Sequence, residues 1–309
     1  MKANPHPFRT PVGGAGYNTH VMEDTSVGIP EDPSEHLQQY AHPNSLVTSA
    51  WLGAKLGTPG LKVVESDEER QLYDIGHIPT AVRINWATEL GDPLTRDIIS
   101  AEQFGALMDA KGISHDDTVV IYGDQSNKWA LYTLWIFEHY GHPDVRLLDG
   151  GRDAWMQEEK ETSYDVPLAT TKGYAAEMGE SDPTPQRILV DELKTNLDSF
   201  QVLDLRSPDD YTGDNRDPRW SRYGHIPGAI NHNIGNSLFP NSRFRQAEEL
   251  QEVHSSFDPT VPTVVYCNDA ATAAQQWFVL THLLGWEDVR VYDGSWVEWG
   301  NMMRMPITR

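Results

Sequence analysis

One long segment of this chain occurs twice. VVIYGDQSNKWALYTLWIFEHYGHPDVRLLDGGRDAW begins at Val119, and TVVYCNDAATAAQQWFVLTHLLGWEDVRVYDGSWVEW begins at Thr263. An offset of 144 residues aligns them without a gap, so that Val120, Tyr122, Gly141, Arg146, Asp149 and Trp155 fall on Val264, Tyr266, Gly285, Arg290, Asp293 and Trp299. Upstream, YDIGHIPTAVRIN at Tyr73 is echoed by YGHIPGAINHN at Tyr223. A period this long is not that of a solenoid, whose units run to roughly 20–50 residues. The chain reads as a duplicated domain.

Within each copy, short β-rich runs alternate with helical stretches: LKVVES, ISAEQFGALMDAKG, DTVVIYG, WALYTLWIFEHYG and DVRLLDG in the first. Near-continuous apolar strands followed by amphipathic helices predict an α/β fold, a small parallel sheet with helices on both faces. The 309 residues suffice for two such domains. Residues 1–44, rich in Pro, Gly and His, read as an extension, partly unstructured or draped over the body. Residues 45–157 form the first domain, 158–186 a linker and 187–309 the second domain.

The duplication is an internal control for the single cysteine, Cys267, whose counterpart is Gly123. If both copies share a fold, the fold does not require a thiol there, and chemistry becomes the better explanation. Val264, Val265 and Tyr266 read as the end of a buried strand, and ATAAQQWFVLTHLLG as a helix stopped by Gly285. Cys267 then lies at the carboxyl end of a strand before a helix N-terminus, where open α/β sheets place ligands and where free N–H groups hold anions. Such groups stabilise a thiolate without a basic side chain.

GHIPGAIN, a strand ending in Cys, a short loop before a helix and a closing DGSWVEWG resemble the tandem-domain rhodaneses, and most of all the thiosulfate and 3-mercaptopyruvate sulfurtransferases. The resemblance spans residues from about 45 to 305. It implies two rhodanese-like domains, an inactive first copy and an active second one whose Cys267 takes up a sulfane sulfur as a persulfide and passes it to a thiol, cyanide or other nucleophile. Under it, the loop Asn268, Asp269, Ala270, Ala271 and Thr272 binds the donor, Arg206 in VLDLRSPDDY faces that loop and orients the donor, and Asp204 is a structural partner. The loop departs from the family, since thiosulfate users place basic residues after the cysteine and mercaptopyruvate users Gly-Ser-Gly. Asp269, if turned inward, raises the thiol pKa and repels a dianionic donor, which favours another sulfane donor. Two alternatives remain open: a persulfide enzyme serving a specialised metabolite or carrier, and a binding module without catalysis.

The segment GDNRDPRWSRYGHIP has no counterpart in the first copy, and makes Arg216, Arg219 and Arg222 candidates for donor binding, with Arg216 and Arg222 foremost. Arg243 and Arg245 are weaker candidates, and Trp296 is a candidate wall of the substrate cleft. His225 has His77 as its counterpart, so a structural role is expected; His232 and His254 read as surface residues. Ala273 stands where a Cys-dependent phosphatase needs arginine. One cysteine excludes thiolate-rich zinc sites, and no metal, flavin or nucleotide cofactor is expected. Lys and Arg number 24 against 46 Asp and Glu, a formal charge of −22 that disfavours nucleic acid and anionic membranes as partners. No apolar run approaches the roughly 20 residues of a membrane span, and the N-terminus lacks a secretory signal's apolar stretch. The expected setting is the cytoplasm, and the expected partners are a small-molecule donor and acceptor. The oligomeric state is left open.

Overall fold

A computed structural model describes residues 28–69, 71–169, 173–174 and 186–309. The described chain holds two five-stranded sheets, parallel throughout. In the first, β1 (Leu46–Val47), β2 (Leu61–Glu65), β3 (Ala81–Arg83), β4 (Thr118–Tyr122) and β5 (Val145–Leu148) lie in the order β1-β5-β4-β2-β3. In the second, β6 (Arg187–Ile188), β7 (Gln201–Asp204), β8 (Ile230–Asn231), β9 (Thr263–Tyr266) and β10 (Val289–Tyr292) repeat it as β6-β10-β9-β7-β8. The central strands β4 and β9 are buried along their whole length, as continuous Val, Ile and Tyr runs require when helices cover both faces.

The helices start and stop where local chemistry dictates. Ala101–Lys111 begins in a capping box, with Ser100 and Gln103 each holding the other's backbone N–H, and ends at Gly112 with φ 72°. Ala271–Phe278 follows β9, its N-cap Ala270 left-handed at φ 73°, and a π-helical segment, Val279–Leu283, continues it.

One buried cluster spans both domains, and each keeps a smaller one of its own. Leu131, Leu134 and Trp135 of the helix Lys128–His139 belong to the same buried cluster as Ala273, Ala274, Trp277 and Phe278. Gln275 Nε2 donates to the Ser126 carbonyl across the seam, at 3.0 Å. Arg187 reaches both Asp97 of the first domain and Asp293 of the second.

Residues 28–44, the described part of the extension, are fastened to the body. Asp32 accepts the N–H and hydroxyl of Thr48, Tyr40 donates to the Arg245 carbonyl, and Ala41 N–H donates to Leu283 O. The segment has no period because single contacts, not a repeating face, hold it. Residues 1–27 and, within the expected linker, residues 170–172 and 175–185 lie outside the described residues. Among the described residues no helix is long and apolar enough to cross a membrane.

Candidate active site

Cys267 follows the last residue of β9 and is 3% exposed. The N–H groups of Asp269, Ala273 and Thr272 lie near enough to its sulfur to favour the thiolate. The last two are free donors of the first helical turn, which no carbonyl of the helix can reach. Burial, and then the Asp269 carboxylate, pushes the thiol up to about 11, against the pull of these N–H groups. The residues of the loop 268–272 expected from the sequence are placed unevenly about the sulfur. Asp269 and Thr272 supply donors, Ala273 adds one, and Ala270 turns its N–H away to Ser295 Oγ at 3.2 Å.

A second turn braces the loop. After β10 the chain enters the helix Ser295–Trp299, whose first N–H groups close on the loop: Trp296 N–H to Cys267 O at 3.0 Å and Val297 N–H to Asn268 O at 3.1 Å. Sequence reasoning treated this segment as a family marker and missed its bracing role. The readable signal was the contrast of DGS here with DGG in the first copy.

Asp269 is exposed. It lines a cleft of about 430 Å³ at the seam, with Tyr132 and Asp97 of the first domain and Arg187, Asp293, Val297 and Glu298 of the second. Arg219 is hydrogen-bonded to Asp217, which raises its pKa, and Asp269 within electrostatic reach adds to this. The other arginines are placed differently. Arg222 donates to the Met305 and Trp299 carbonyls, so it ties down the chain's last segment rather than facing the loop. Arg216 stacks on Tyr223 at 4.7 Å. Arg243 pairs with Glu158 across the seam, and Arg245 with Glu249.

Arg206 is the largest departure from expectation. Its side chain is 1% exposed; Nε and Nη2 engage Asp204, Nη2 also donates to Gly224 O at 2.7 Å, and Trp296 covers the guanidinium at 4.1 Å. Tyr266 donates its hydroxyl to Asp204. Only Nη1 carries no hydrogen bond, so Arg206 first of all neutralises a buried carboxylate. The first domain builds the same knot from other positions: Tyr122 donates to Glu65, which Arg152 pairs while donating to Gly76 O. Arg152 occupies the place of Trp296, and Asp67 that of Arg206. Trp296 is therefore buried packing and not a cleft wall.

His225 plays the structural part its repeat implied. Its Nδ1 donates to Tyr211 O at 2.9 Å and its ring stacks on Tyr211, as His77 does on Tyr73. His232 and His254 are buried, contrary to expectation, because they pack together with Phe257 while His254 bonds Leu250 O and Gln276.

At the counterpart of Cys267 the first domain has neither a thiol nor room for a side chain. A Cβ at Gly123 would sit on the Ser66 carbonyl oxygen. Asp67 and Asp124 line that loop, and burial together with Glu65 pushes Asp67 up to about 10.

The rhodanese-like domain model matches residues 48–158 and 189–302. The chain belongs to the rhodanese family. This rhodanese is 51% identical over 290 residues to a thiosulfate sulfurtransferase of Corynebacterium glutamicum, covering 91% of this chain and 96% of that protein. It is 40% identical over 280 residues to the sulfur carrier protein TtuD of Thermus thermophilus, covering 87% and 98%. Among solved structures it resembles an EanB variant captured as a cysteine persulfide with ergothioneine, at a TM-score of 0.76 and 25% identity, covering 87% of this chain and 71% of that one. It is a sulfurtransferase of the rhodanese type, working with a small-molecule sulfur donor and an acceptor.

Proposed function

We propose that the chain transfers a sulfane sulfur through a persulfide on Cys267, with thiosulfate as a donor. The observation that carries this reading is the set of N–H groups of Asp269, Ala273 and Thr272 near one sulfur atom that the first copy lacks. The Cys267 sulfur, having lost its proton to solvent, attacks the outer sulfur of the donor. The S–S bond of thiosulfate breaks and sulfite leaves with the electron pair. An acceptor thiol or cyanide then attacks the terminal sulfur, and the Cys267 thiolate leaves. The loop N–H groups hold the negative sulfur in both steps.

Thiosulfate is favoured by the names of the relatives. The case against it, an inward Asp269, is weakened by the exposure of that carboxylate in the cleft and by Arg219 near it. Arg206 is already paired with Asp204 and leaves only Nη1 as a donor. The second reading, delivery to a specialised small molecule, draws on the seam cleft, large enough for a metabolite, and on the likeness to EanB.

The test is intact mass after incubation with thiosulfate, 3-mercaptopyruvate or polysulfide in turn. A gain of one sulfur, lost in Cys267→Ser, is expected with thiosulfate. A gain with none of the three would overturn the proposal.

A further inference from the structure

In each domain one oxygen accepts the backbone N–H that follows the central strand, and that oxygen comes from different places. In the first domain it is Asn127 Oδ1, which accepts from Gly123 N–H at 2.9 Å. Asn127 is a loop residue, and its Nδ2 donates to Leu148 O at 2.8 Å. In the second domain it is Ser295 Oγ, which comes from the turn after β10. It accepts from Cys267 N–H at 3.3 Å and Ala270 N–H at 3.2 Å, and donates to Tyr292 O at 2.9 Å.

The two arrangements are exchanged in sequence and exclude each other in space. The counterpart of Ser295 is Gly151, and the counterpart of Asn127 is Ala271. A Cβ on Gly151 would fall on Asn127 Oδ1 and the Gly123 carbonyl oxygen. With the acceptor inside the loop, the first copy needs three successive left-handed residues, Gln125, Ser126 and Asn127, at φ 49°, 55° and 64°. With the acceptor outside, the second loop needs one, Ala270. At the place of Asn127 the second loop then carries only the methyl group of Ala271.

Ser295 is fully buried and sits at φ 47°, a left-handed conformation disfavoured for any residue with a side chain. Glycine would relieve it, as Gly151 does in the first copy. A strained serine at this place is accounted for by what its hydroxyl does.

We propose that Ser295 is a positioning residue for sulfur transfer: by taking the N–H groups of Cys267 and Ala270 from outside the loop, its hydroxyl replaces the amide that the first copy needs inside its loop and leaves the other loop N–H groups to face the Cys267 sulfur. Ser295 acts through the loop and touches no substrate. The proposal deepens the persulfide reading and rests on it, but its test does not require sulfur transfer.

Cys267 is the sole thiol, so alkylation by iodoacetamide, followed by intact mass across pH, reports that sulfur alone. The variants are Ser295→Ala and Ser295→Gly. The second removes the backbone strain and matches the residue the first copy folds with, so it tests the hydroxyl even if Ser295→Ala fails to fold. In Ser295→Gly, melting near the wild-type temperature is expected, with alkylation at neutral pH about tenfold slower and its pH midpoint moved up by about one unit. Sulfur loading from thiosulfate should fall in parallel. An unchanged alkylation profile in folded Ser295→Gly overturns the proposal, whatever the wild type does with thiosulfate. A profile changed only in proportion to lost stability, with the midpoint in place, also overturns it.

Discussion

At the scale of single residues, the chemistry turns on how a buried sulfur acquires charge. The Cys267 thiol, pushed up to about 11, is almost wholly protonated at neutral pH. Sulfur loading should therefore rise about tenfold per pH unit above neutrality and level off only near that value, which stopped-flow loading at several pH values checks. Removing the Asp269 charge works in the same direction: Asp269→Asn should load thiosulfate several-fold to about tenfold faster at neutral pH, because it lowers the thiol pKa and the repulsion of a dianion together. Arg206→Ala should instead leave the Asp204 carboxylate buried and unpaired, a loss of roughly 3–5 kcal/mol of stability measurable by denaturant unfolding. Cys267 was legible in the sequence because the repeat showed glycine at the same place. The surroundings of Arg206 were not, since a long side chain's partner depends on what the fold brings to it, here Gly224 and Trp296 from distant segments.

At the scale of elements, the strand-loop-helix unit after the central strand is what differs between the copies. Gly123→Cys should not create a second site. The added side chain meets the Ser66 carbonyl, and overpacking of this kind costs roughly 1–3 kcal/mol, read as a lower melting temperature with no sulfur gained at that position. The packed pair His232 and His254 gives the second domain an acid-sensitive element. Burial first, and then His254, lowers His232 from 6.5 to about 4. A histidine depressed in the folded state contributes stability that is fully present above 6.5 and is lost as pH falls toward 4, so the melting temperature should drop across that window and drop less in His232→Phe. The helices and the longer strands were visible as patterns. The two-residue edge strands β1, β6 and β8 were not, because two residues carry no period. Residues 28–44 were read as an extension because isolated anchors such as Asp32 and Tyr40 leave no periodic trace.

At the scale of the whole molecule, the two domains form one cooperative body. The helix Lys128–His139 buries its apolar side against Ala271–Phe278, and both contribute to a single cluster. An interface this apolar does not permit free domain motion. A single calorimetric transition is expected, and residues 187–309 expressed alone should aggregate, as gel filtration would reveal. The sequence made both halves visible and said nothing of their mutual dependence, since Trp277 and Leu134 look alike whether they face their own sheet or a neighbour's helix. The bond from Gln275 to the Ser126 carbonyl makes that dependence concrete. The first domain grips the very helix whose opening turn addresses the sulfur, and so serves as a mounting bracket for it. Damage to its inner surface should appear as poor turnover far from the damage, and a lineage that discarded it would need another subunit to stand in its place.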